Sequence, residues 1–145
     1  ALGTRIHGLL EQIAWLYPGL VPEITGTAAL DGRLVAAFLQ APGIHRLFEK
    51  PAGNVELLRE QAFEALLGGQ WLSGKIDRLH LEKDAAGKPV RARILDFKTD
   101  QAPQAERHRP QMDIYRQAVA MLFSVPLERI TCTLMFVRTG TVIDL

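Results

Sequence analysis

Apolar residues recur at helical spacing through the first sixteen positions, where Ile6, Leu9, Leu10, Ile13 and Leu16 share one face. This predicts a helix over 2–16, ended by Pro18-Gly19. A second helix is predicted over 28–39, stopping at Pro42-Gly43, and a short third over 44–49 ahead of the breaker Pro51-Ala52-Gly53-Asn54. From Val55 the pattern turns strand-like. Runs at 56–67, 70–82 and 90–99 are separated by Gly68-Gly69 and by the turn-rich segment 84–89. Connections this short predict an antiparallel meander. Helical spacing returns over 109–123, with Ile114, Ala118, Met121 and Leu122 on one side. The apolar, β-branched run 130–137 reads as a buried strand, and Arg138-Thr139-Gly140-Thr141 turns the chain into a last short strand at 142–145. The order predicts an α/β fold: a central mixed β-sheet flanked by helices around one core.

Composition narrows what such a fold can do. The 145 residues fit one domain, and no repeat or linker divides them. Seventeen basic against sixteen acidic side chains give a net charge of +1, which excludes holding DNA by overall charge alone. A local stripe at Arg107, His108, Arg109 and Arg116 remains available for guiding a strand. Cys132 is the only cysteine, so this chain by itself forms no intrachain disulfide, four-cysteine zinc site or iron–sulfur cluster. A reducing, cytoplasmic setting and no membrane association are expected: there is no secretory leader pattern and no apolar run of about 18 residues. The chain lacks an initiator Met and starts beside a helix, so it reads as an excised piece of something longer.

Chemistry concentrates in two of the strands. In Ile94-Leu95-Asp96-Phe97-Lys98-Thr99, alternation points Asp96 and Lys98 to one side and Leu95 and Phe97 to the other. A carboxylate and an ammonium together at a strand end suit metal-assisted hydrolysis, although a strand-end ion pair would look the same. Asp77 stands within the otherwise apolar Ser73-Gly74-Lys75-Ile76-Asp77-Arg78-Leu79. A carboxylate there needs a partner or a cation. Arg93 is the alternative partner, since Arg78 faces the opposite side. If the two strands pair through the turn near Gly87, Asp77 and Asp96 meet on one face, a donor pair that suits Mg²⁺.

His7 borders the first helix's apolar stripe, between Gly3 and Glu11 and beside Gly8. It is either a structural histidine or a ligand whose ring Glu11 fixes. Glu60, in Arg59-Glu60-Gln61-Ala62-Phe63, is a further candidate that edge exposure would equally explain. Gln111 and Tyr115 share a helix face, as a phosphate-binding and base-stacking pair or as a plain surface pair with a half-buried ring.

Taken in order, Gly3-x-x-x-His7-x-x-Leu10-Glu11, Glu60-x-x-Phe63, Gly74-x-x-Asp77-Arg78, Asp96-x-Lys98-Thr99 and Gln111-x-x-x-Tyr115 resemble the RecB-type nuclease domain, a branch of the PD-(D/E)XK superfamily. The closing Phe136-Val137-Arg138-Thr139-Gly140 is similar to the end of AddA-type helicase–nuclease subunits. The resemblance implies a restriction-endonuclease-like core in a single C-terminal nuclease domain spanning 1–145. His7, Asp77 and Asp96 would ligate Mg²⁺ or Mn²⁺, with Lys98 as catalytic lysine and Asp77 and Asp96 as catalytic acids. Gln111, Tyr115, Thr99 and Arg109 would lie along the DNA. It implies hydrolysis of phosphodiester bonds in single-stranded DNA fed by a fused or associated helicase, with a second subunit, during recombinational repair of double-strand breaks. Leu95 replaces the superfamily's usual proline, and Glu60-Gln61-Ala62 departs from the usual first-strand form. Two rivals stand beside this reading: an inactive nuclease-fold module that guides DNA, and a hydrolase of small phosphoesters.

Overall fold

Gly68 and Gly69, both at positive φ (56° and 80°), fold strand β1 (Val55–Leu67) back on β2 (Gln70–Lys83) through a two-residue turn. Asp84 makes the next reversal: its Oδ1 accepts the backbone N–H groups of Ala86 and Lys88, both at 2.9 Å. The chain then enters β3 (Pro89–Lys98), antiparallel to β2. Helix α4 (Arg109–Phe123) carries it across to β4 (Ile130–Phe136), parallel to β3, and β5 (Thr141–Asp144) closes the sheet antiparallel to β4. The sheet is therefore five-stranded and mixed, in the order β1-β2-β3-β4-β5. Helices α1 (Leu2–Leu10), α2 (Ala29–Gln40) and α3 (Pro42–Phe48) precede it. This computed structural model describes residues 1–24 and 28–145.

The expected single core is two apolar layers sharing the sheet. Alternation along β3 and β4 sends Ile94, Cys132, Leu134 and Phe136 against α4, with Ala118 and Val119. It sends Leu95, Phe97, Met135 and Val137 against α1–α3, where Ile6, Leu10, Phe38 and Phe48 meet them. Phe97 stacks on Phe48 at 6.0 Å and meets Phe38 edge-on at 6.3 Å.

The first helix departs most from expectation, ending at Leu10 rather than near position 16. The cause lies across the chain. Arg78 is 1% exposed, and its guanidinium donates to the carbonyls of Ile13 (2.7 Å) and Ala14 (2.5 Å) and to His80 Nε2 (2.9 Å). It also lies over the Trp15 and Phe48 rings. Those two carbonyls face the guanidinium, while Leu16 N–H donates to Phe48 O at 2.8 Å and Leu16 bridges Glu49. The apolar spacing of 11–16 is real, but Ile13 and Leu16 bury their side chains from a non-helical segment.

Candidate active site

Two irregularities in the sheet create the site. First, the β1–β2 ladder runs on both sides of Glu60 and Asp77 but omits that pair, and Glu60 has φ 50°, unusual for a non-glycine residue. Alternation changes phase there. Leu58 and Leu79 pack toward α4 on one side of the irregularity; Phe63, Ala65 and Ile76 do so on the other. Second, the β2–β3 ladder stops at Arg78–Leu95. Beyond it, Phe97 N–H donates at 2.8 Å to Oδ2 of Asp77, so a side chain holds the seam where the backbone ladder has ended.

Asp77 Oδ2 also accepts from His7 Nε2 at 3.1 Å. His7 Nδ1 donates to the Gly3 carbonyl at 2.7 Å, so the imidazole is oriented from within its own helix. The group expected to fix this ring was Glu11; Gly3 O does so instead, and Glu11 approaches the Glu60 carboxyl. With both ring nitrogens donating, His7 is an imidazolium, its pKa raised to about 9 chiefly by the hydrogen bond to Asp77. Arg93 takes no part, so the alternative partner considered for Asp77 is displaced by His7.

Asp96 is 4% exposed. Burial first, and the nearby Asp77 carboxylate second, push its pKa up to about 7. Lys98 Nζ lies 2.7 Å from Asp96 Oδ2, yet this oxygen has no partner in hydrogen-bond geometry. Lys98 Nζ donates to Gln111 Oε1 at 3.0 Å, and Gln111 Nε2 donates to Tyr115 Oη at 3.0 Å. This relay from β3 to α4 fixes the ammonium beside Asp96. Burial, reinforced by the Asp96 and Asp77 charges, raises the Tyr115 hydroxyl to about 12, so it stays protonated.

His7, Asp77, Asp96 and Lys98 are thus brought to one place, with Glu60 opposite Asp77 in β1. They do not form the expected cage. Among the described residues no three His, Cys, Asp or Glu side chains enclose a cation position, because His7 closes on Asp77 and Lys98 on Asp96. The side chains nevertheless suit a hard divalent ion: two carboxylates of which one repels the other, a buried oxygen held by the Lys98 charge rather than by an aligned hydrogen bond, and a histidine whose Nδ1–H is already engaged, so that losing the Nε2 proton frees a donor.

The residues expected along DNA divide. Thr99 lies beneath the start of α1, its Oγ1 only 3.3 Å from where a Gly3 Cβ would stand, so a side chain at position 3 would crowd it. Gln111 is engaged with Lys98. The Tyr115 ring is 7% exposed and packs edge-to-face on Phe63 at 5.6 Å, which leaves no face for a base. Arg109 is exposed but forks onto Glu106 at 2.8 and 2.9 Å, His108 contacts Asp100 at 2.8 Å, and Arg116 donates to Leu145 O. Most of the basic stripe's charge is therefore met within the protein.

Three contributors carried no role in the sequence, although Gly74 and Arg78 stood within one of its motifs. Lys75 pairs with Glu60 at 3.3 Å. Gly74 is required because a Cβ there would sit 2.8 Å from the Phe63 ring and 3.1 Å from Tyr115. Arg78 anchors the segment that leaves α1, and the signal for it was an arginine inside an apolar strand run, a residue that must find carbonyl partners if buried. A family model of the PD-(D/E)XK nuclease superfamily matches residues 1–144. No curated protein matches the chain.

Proposed function

The chain belongs to the PD-(D/E)XK nuclease superfamily, and we propose that it hydrolyses phosphodiester bonds in DNA using Mg²⁺, for which Mn²⁺ substitutes. The observation that carries this reading is the buried Asp96 carboxyl, set between a second carboxylate and the Lys98 ammonium 2.7 Å from its Oδ2. A structural ion pair has no use for the second acid, whose charge makes the first harder to ionise.

Asp77, Asp96 and His7 would hold the ion, which supplies positive charge to the phosphoryl oxygens and acidity to a bound water. The chain's own groups do the rest. Lys98, steered by Gln111, keeps an ammonium beside Asp96, where it stabilises negative charge building on the phosphate and orients the attacking water. Gly3 O holds the Nδ1–H of His7, so Nε2, on the side facing Asp77, is the nitrogen that would give up its proton to serve as a ligand. Tyr115, protonated throughout the working range, anchors Gln111 as a neutral partner.

The near-balanced net charge and the internally paired basic stripe support a module whose DNA is delivered by a neighbour. We therefore also propose the AddA-like setting that the sequence resembles: a cytoplasmic nuclease unit fed single-stranded DNA by a fused or associated helicase, with a second subunit, in recombinational repair. Asp96→Ala and Lys98→Ala are each expected to abolish cleavage of labelled DNA while the circular dichroism spectrum is retained. Normal cleavage by Asp96→Ala overturns the assignment. Calorimetric titration with Mg²⁺ or Mn²⁺ should show weaker binding in Asp77→Ala, and unchanged affinity removes Asp77 from the ligand set.

A further inference from the structure

Past Arg78–Leu95, β2 has no β3 neighbour, and the β1–β2 hairpin continues alone to its Gly68-Gly69 tip. One of its faces is spoken for: Phe63, Ala65 and Ile76 pack in the α4 layer, and Gly74 lies against Phe63 and Tyr115. By alternation the opposite face carries Trp71, Ser73 and Lys75 on β2, paired across from Leu66, Glu64 and Ala62 on β1. Trp71 is 75% exposed and its neighbour Leu66 47%. Helices α1–α3 cover the β3–β4 part of the sheet and leave this outer ladder open.

The exposed face leads to the catalytic groups. A recess of about 310 Å³ lined by Glu64, Trp71, Leu72 and Ser73 adjoins a second of about 690 Å³, which shares Glu64 and Ser73 and reaches Lys75. Lys75 is paired with Glu60, which stands opposite Asp77. Trp71 lies six residues from Asp77 along the same strand, about 20 Å at strand rise. An indole, a hydroxyl and an ammonium in file toward a phosphodiester-cleaving centre match the alternation of base, sugar and phosphate in a strand whose bases are unpaired.

Resting on the nuclease reading above, we propose that this outer hairpin face is a track for single-stranded DNA, on which Trp71 stacks an unpaired base and Lys75 meets backbone phosphate. Continuity with the catalytic groups and the ammonium at its inner end select nucleic acid as the occupant. Glu64 lies on the same face and repels phosphate, so the contact there is with bases. A duplex, whose bases are stacked on each other, offers the indole nothing to receive.

The test is binding of a fluorescent oligothymidylate, and of a duplex of equal length, to the full chain in low salt with chelator present to stop cleavage. Trp71→Ala should weaken binding of the single strand about 10-fold, Trp71→Phe should keep it within about 3-fold, and duplex binding should move with neither. The wild-type indole fluorescence should be quenched by the single strand, and Trp71→Ala should remove that quenching. Equal affinity of Trp71→Ala and wild type for the single strand overturns the track while the nuclease assignment stands. Equal losses on single strand and duplex also overturn it. If sedimentation shows wild-type dimers that Trp71→Ala dissociates, the face is an interface between copies and the proposal fails. Wild-type protein that neither binds nor cleaves DNA brings down the underlying reading, and the track with it.

Discussion

Asp96 shows what burial of a single carboxyl does to stability. Its carboxyl is held protonated to about pH 7 when folded but ionises near the ordinary carboxylate value when unfolded. The folded state therefore binds the extra proton, and its stability declines as pH rises from about 4 through 7. Without metal, Asp96→Asn is expected to raise stability at pH 8 by about 1–3 kcal/mol, measured by urea unfolding, and to cut cleavage at least about 100-fold. An unchanged or lower unfolding midpoint would show that burial does not strain this group. Gly74 is the steric counterpart. Gly74→Ala should cost about 1–3 kcal/mol because the Phe63 and Tyr115 rings must yield to the new methyl. A thermal midpoint equal to wild type would contradict that close approach.

At the scale of elements, the decisive contact is made by Arg78. It links β2 to the segment leaving α1, while the adjacent Asp77 links β2 to His7 on α1 itself. Arg78→Leu should strand the buried Ile13 carbonyl and the partly buried Ala14 carbonyl and lose about 2 kcal/mol or more, with hydrogen exchange at Leu16 accelerated. Slow exchange at Leu16 in that variant would show that the segment holds itself. His80 makes the same contact sensitive to acid. Burial, then the charges of Arg78 and Arg93, lower its pKa to about 3. Between pH 6.5 and 3 the unfolded chain takes up a proton that the folded chain refuses, so stability is present above 6.5 and is lost on acidification. Urea titrations should show roughly 2–3 kcal/mol less stability at pH 4 than at pH 6.5 from this group, and His80→Gln should flatten that slope. A slope unaltered by His80→Gln would discharge His80 from the role. Strands, turns and α4 were legible because alternation, glycines and a proline acted locally. The early end of α1 was not, because it is imposed by an arginine more than sixty residues away.

Over the whole molecule, sequence order conveyed the α/β layering and the meander but not how the layers divide. Spacing alone cannot tell one core from two when a sheet buries both faces, as the unbroken burial from Ile76 to Leu81 shows. Asp77, Asp96 and Lys98 of the candidate site were legible as charges in apolar strands, and the structure brings them together with His7 of α1. The Asp96–Lys98 pairing stood in the sequence as the strand-end alternative, but the His7–Asp77 pairing did not, since it depends on where α1 is pinned and where β2 leaves β3. That parting has a consequence of its own. One oxygen of Asp77 serves an imidazole and an amide at once, so any third claimant draws on what moors the first helix to the sheet. Loading such a centre and loosening that mooring become two readings of one balance, and a chain held more firmly together would be the poorer host.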